Sequence, residues 1–154
     1  MPTMKRSRPT IQPEYGVPAD EAGMLDWQFV DDEMRAARNY WVCTVRPDAR
    51  PHAIPVWGIW LDGVFYHGGG DRTRRHRNLQ RNPQVSVHLE SGSRVVILEG
   101  TVEEVTDPVE VARVDTLYVA KYGVEHGTPM FALRPARVLA WTEYPTTVTR
   151  WTAE

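Results

Sequence analysis

Residues 40–68, YWVCTVRPDARPHAIPVWGIWLDGVFYHG, decide the fold. Tyr40–Val45 is aromatic and β-branched, RPDAR (46–50) is turn chemistry, and PHAIPVWGIW (51–60) resumes as a second strand. Asp62-Gly63 accepts the left-handed backbone that a two-residue hairpin needs, and VFYHG (64–68) leaves it as a third strand. Hairpins this closely spaced leave no room for helical crossovers, so the sheet is antiparallel rather than doubly wound and parallel.

Downstream, TRRHRNLQRNP (73–83) has few strand formers and fits a short helix that Pro83 stops. QVSVHLE alternates Val85, Val87 and Leu89 as a half-buried strand, SGS turns, and RVVILEGTVEEV makes a long fifth strand. DPVEVARVDTLYVAKYG reads as a helix with Asp107 as cap, Pro108 in its first turn and Gly123 closing it. MFALRPARVLAWTEY and TVTRW supply one or two closing strands. Upstream, DWQFVDDEMRAARN spaces Trp27, Val30, Met34 and Ala37 as one helical face, with Asp26 placed to cap it. Residues 1–20 lack periodicity and read as a flexible N-terminal arm, which leaves 21–154 as a single domain. The expected fold is mainly β (α+β): six or seven antiparallel strands in a small closed or split β-barrel with two or three flanking helices. Closure removes exposed sheet edges.

Composition narrows the function. With 154 residues, 42% hydrophobic and 25% charged, the chain builds one ordinary core, and its net charge of −2 gives no global field for nucleic acid or an anionic membrane. The single cysteine, Cys43, lies in the apolar run YWVCTV, which reads as a buried strand; it excludes an internal disulfide and fits a reducing cytoplasm. No apolar run approaches a membrane span. The five histidines show no metal-ligand spacing, and no hydrolase motif appears, so no catalytic residue and no metal site can be assigned.

Against that background HGGGDRTRRHRNLQRNP (67–83) stands out, because it sets three glycines ahead of five arginines. Guanidinium forks, hydroxyls and free N–H groups at a helix N-terminus form an anion site, and phosphate rewards such a set of donors most. Thr73, Arg74 and Arg75 stand where the helix begins, and Asn78 one turn on can fix the loop or donate to the ligand. Gly68 and Gly69 would let a flat ligand approach, with His67 beside them. The bland alternative is a solvated arginine face after an ordinary turn. The stretch is neither a P-loop nor the dinucleotide fingerprint.

The order of hairpin, Asp-Gly turn, strand and TRRHRNLQRNPQVSV resembles the pyridoxamine 5′-phosphate oxidase-like family of FMN-binding split barrels, in its FMN- or F420-using branch. The resemblance spans roughly residues 26–151. It implies that Thr73, Arg74, Arg75 and Asn78 hold a cofactor phosphate, Arg75 standing where lysine is commoner. It also implies that Val56 and Trp57 lie along the ring system and that the closing TRW places Arg150 and Trp151 near the cofactor. The family is homodimeric with cofactors in grooves between subunits, which would bury Trp41, Trp60 or Trp141 at an interface. The expected function is an F420- or FMN-dependent oxidoreductase that passes a hydride to a small unsaturated or carbonyl-conjugated substrate. F420 is preferred, because TRW resembles the closing signature of the F420-using members and the arginine excess suits its acidic tail. The alternative is a flavin, F420 or haem carrier without turnover.

Overall fold

The structure, a computed structural model, describes residues 3–154. Met1 and Pro2, the start of the expected arm, lie outside the described residues. In chain order the elements are β1 (Met4–Ser7), a 3-10 turn (Pro13–Tyr15), α1 (Trp27–Ala36), β2 (Tyr40–Val45), β3 (Pro51–Val56), β4 (Gly58–Leu61) and β5 (Val64–Gly68). They continue with α2 (Arg74–Arg81), β6 (Gln84–His88), β7 (Val95–Glu104), α3 (Pro108–Tyr122), β8 (Met130–Leu133), β9 (Arg137–Trp141) and β10 (Thr149–Ala153).

Every pairing is antiparallel, and one path runs β1-β10-β9-β7-β6-β2-β3. A second path leaves β7 through β8 and β5 to β4. The long strand β7 therefore serves both: Val95–Thr101 pairs with β9 and β6, whereas Val102–Glu104 turns away to β8. This is the split of a split barrel, and the expected class holds.

Among the described residues the strand count rises to ten. PHAIPVWGIW, expected as one strand, breaks at Trp57 and changes sheet, and Gly58, which opens the new strand, has no room for a Cβ against the Phe65 ring and the Tyr66 carbonyl. The closing region makes three strands rather than one or two. Part of the expected arm also pairs, Met4 to Ala153 and Ser7 to Arg150. Arg8 fixes it by donating to the carbonyls of Asp20, Ala22, Thr146 and Val148. Beyond β10, the Glu154 N–H donates to the Thr3 carbonyl at 3.2 Å.

The hairpin and the ends of α3 behaved as their chemistry demands. Leu61 pairs with Val64 across Asp62 (φ 51°) and Gly63 (φ 75°), both left-handed, as a two-residue hairpin requires. Asp107 accepts the Val109 N–H at 2.9 Å, and Gly123 ends α3 at φ 80°. Asp26 does not cap α1; its carboxylate takes Arg6 at 2.9 Å instead. The main core fills the barrel with Val42, Phe65, Val87, Leu98 and Val138, closed by Val30 and Met34 of α1 and Leu79 of α2. A second core lies beneath α3, where Val114 and Tyr118 meet Ile59, Tyr66 and Met130. Cys43 is on the outer face of β2 and only partly buried, not inside as expected. Among the described residues no helix is long and apolar enough to cross a membrane.

Candidate functional site

α2 begins where the sequence placed it, with Thr73 as N-cap accepting the His76 N–H at 3.1 Å. The helix is held against β2 by Asn78, whose fully buried amide donates to Thr44 Oγ1 at 3.0 Å. Asn78 is thus a positioning residue. Arg74 is half-buried at the helix start, while Arg75 turns inward, is only 8% exposed and donates to the Gly68 carbonyl. Arg75 pairs with no carboxylate among the described residues. Burial pulls its pKa below the usual guanidinium value.

Unsatisfied polar atoms collect around this end of the barrel. Both ring nitrogens of His67, Nδ1 of His76, Oδ1 of Asn78 and Nδ1 of His52 are buried without partners. His52 stands opposite Thr44 in the β2–β3 register, on the same side as Asn78. Burial first, and then Arg46, Arg74 and Arg75, lower its pKa, so these groups share a field of one sign. His67 is 2% exposed between Phe65 and Phe131, at 5.5 and 5.8 Å. Burial, with Arg75 and His126 adding to it, pushes its pKa down to about 3.

Several expected site residues are placed differently. His67 faces inward and presents no atom to a ring outside. Gly68 is small because the His126 ring and the Pro129 carbonyl fill the place of its Cβ, and Gly69, at φ 148°, is backed by the Arg75 guanidinium. Val56 is half-buried against the main core. Trp57 is 39% exposed and stacks on Tyr122 at 4.6 Å and 5°, with Arg38 5.1 Å above its ring. Because Gly58 pairs with His67, Val56 and Trp57 still lie at the same end as the glycine turn. Arg150 and Trp151 do not: β10 is separated from β2 by β9, β7 and β6. Trp151 is 2% exposed and packs edge-on against Trp27 at 5.5 Å, while Arg150 points outward and donates to Ser7 Oγ at 3.1 Å. Trp60 belongs to the core and donates its indole N–H to Asp31 at 2.8 Å.

Sequence reasoning passed over His52, His76, His126 and Thr44. The register of the β2–β3 hairpin could have exposed His52, since it fixes which residues flank Thr44.

On the face away from the core, the registers align Pro55, Trp41, His88, Ile97, Leu139 and Arg150 in one row across six strands. Trp41 and His88 stack at 6.2 Å and 9°, and Trp141 stands beside Val95 in the next row. Apart from Pro55, which is exposed, the members of this row are half-buried.

Residues 28–143 match the family described as pyridoxamine 5′-phosphate oxidase. The chain belongs to that family. No curated protein matches the sequence. Solved structures that resemble this member of the pyridoxamine 5′-phosphate oxidase family include a conserved hypothetical protein of Mycobacterium tuberculosis, 23% identical, TM-score 0.68, covering 78% of this chain and 87% of that one. An F420 reductase is 19% identical, with TM-score 0.56 over 70% of this chain and 94% of its own. A FAD-binding protein of Mesorhizobium loti is 18% identical, with TM-score 0.61 over 84% and 96%. At these identities the likeness is one of fold.

Proposed function

We propose that this member of the pyridoxamine 5′-phosphate oxidase family is an oxidoreductase that binds a phosphate-bearing flavin or deazaflavin, F420 in preference to FMN. The observation that carries this reading is Arg75, a buried cation without a counter-ion beside the N-terminus of α2. A buried charge is costly unless paired, and a phosphate is the partner that both a guanidinium and a helix N-terminus favour. The unpartnered His52 Nδ1 and Asn78 Oδ1 fit a site completed by a polar ligand. Arg74, Arg75 and His52 would hold the phosphate, with Arg46 and exposed Arg72 suited to the acidic tail that distinguishes F420. Thr73 and Asn78 would fix the helix they cap and clasp. Val56 and Trp57 would flank the ring.

When bound, such a cofactor supplies hydride chemistry to a small unsaturated or carbonyl-conjugated substrate. The chain contributes binding, orientation and exclusion of water. The half-buried outer row of β3, β2, β6, β7, β9 and β10 supports a homodimer, and Arg150 would then enter the interface together with Trp41 and Trp141.

Quenching of the tryptophan fluorescence by F420 and by FMN tests the reading. Arg75→Ala should remove a charge-assisted contact of roughly 1.5–3 kcal/mol, about ten- to a hundredfold in affinity, while exposed Arg81→Ala should change little. Because Arg75 is buried, Arg75→Ala should also lower Tm, and Arg75→Lys, which keeps the charge, separates binding from folding. Equal affinities for parent and Arg75→Ala, or no binding of either cofactor, would overturn the proposal. Oxidation of bound reduced cofactor on adding conjugated carbonyl compounds separates an enzyme from a carrier.

A further inference from the structure

A second cleft lies away from α2, between α1 and α3 and over β4, with a volume of about 310 Å³. Ile59, Trp60 and Leu61 form its floor, and Leu117 and Ala120 of α3 one wall. The charged side chains that line it are both cationic: Arg35 of α1 and Lys121 of α3. Lys121 donates to the Tyr40 hydroxyl at 2.7 Å and has its ammonium 4.9 Å from the Tyr40 ring and 5.3 Å from the Tyr122 ring. It pairs with no carboxylate among the described residues, and the acid nearest Arg35 is Asp32 at 3.9 Å, with both side chains largely exposed. Asp31, the other acid close by, keeps its charge and accepts the Trp60 indole N–H at 2.8 Å.

We propose that this cleft binds a small amphipathic carboxylate, its hydrocarbon part on Leu61 and Leu117 and its carboxylate between Lys121 and Arg35. The apolar floor rewards burial of a chain or ring, and Lys121, without a carboxylate partner, together with Arg35, whose contact to Asp32 is long and solvent-exposed, rewards one anion at its end. Desolvation of the ammonium, assisted by Arg38, draws the Lys121 pKa down to about 8, which is the mark of a charge lacking its partner. A monoanion is favoured over a phosphate, because Lys121 stands in the last turn of α3, where the helix carbonyls already offset part of the positive charge. None of these residues belongs to the α2 site, so this inference stands or falls independently of the cofactor.

Calorimetric titration with octanoate, octanamide and octylamine tests it on the full chain. Octanoate should bind one to one, at least tenfold more tightly than the amide, and the amine should not bind. Lys121→Met should weaken octanoate at least tenfold, and Arg35→Ala, on the exposed surface of α1, should weaken it severalfold without affecting folding. Affinity should also fall as pH rises from 7 to 9.5. The titratable and charged groups at Lys121 are Tyr40 of β2, Tyr122 of its own helix and Arg38 after α1, while α1 brings Arg35 to the cleft wall, and the Tyr40 hydroxyl is pushed well above its ordinary value by burial. Equal binding of octanoate and octanamide, undiminished binding by folded Lys121→Met or by Arg35→Ala, or a flat pH profile overturns the proposal.

Discussion

His67 shows how much one side chain can say about pH. In the native chain its pKa is about 3, against an ordinary 6.5. Above pH 6.5 both folded and unfolded chains hold it neutral and the fold has its full stability; below that, the unfolded chain takes up a proton that the native chain refuses. Stability should therefore drop as pH falls from 6.5 towards 4.5, before most carboxylates titrate, and urea melts across that window should show it. His67→Leu should flatten the slope; an unchanged slope would assign it to other groups. The sequence showed that a histidine adjoined the glycines. It did not show which way the ring pointed, because that depends on Phe65, on Phe131 from β8 and on His126 beyond α3. The inward turn of Arg75 was not legible for the same reason: charge is visible in a sequence, but the direction of a guanidinium is not.

Elements whose signals are local were legible. α3 carries its cap, its first-turn proline and its closing glycine in the chain itself, and the Asp62-Gly63 hairpin carries its own backbone requirement. At the corner between β3 and β4 the need for Gly58 was not legible, because it is set by Phe65 and Tyr66 rather than by its sequence neighbours. Gly58→Ala should accordingly overpack the corner and cost about 1–3 kcal/mol, read as a lowered Tm. At the chain's other end, Arg8→Ala should free β1, since one guanidinium serves four carbonyls. Amide exchange at Met4–Ser7 should then accelerate, while β6 and β7 keep their protection. A parent-like exchange rate at β1 would mean that the ladder to β10 holds without the arginine.

For the whole molecule, the barrel class was readable from strand spacing, and the dimer was expected only through resemblance. The outer row supplies a physical reason for it. Sedimentation should give about twice the chain mass, and Trp41→Glu, which puts a charge in the middle of that row, should shift the particle to monomer with little change in secondary structure. A parent protein that sediments as a monomer at micromolar concentration would remove the intersubunit groove from the proposed function.

The double service of β7 has a further consequence. A strand that stitches two sheets together leaves no seam along which the chain could be divided, so the barrel cannot be cut into two self-sufficient pieces. The described ends already meet at Thr3 and Glu154, so a short linker can join them and new ends can be opened elsewhere. Opened in the exposed turn at Ser91–Ser93, such a circular permutant keeps β7 whole and should fold. Opened between Gly100 and Val102, where the strand passes from one sheet to the other, it should not.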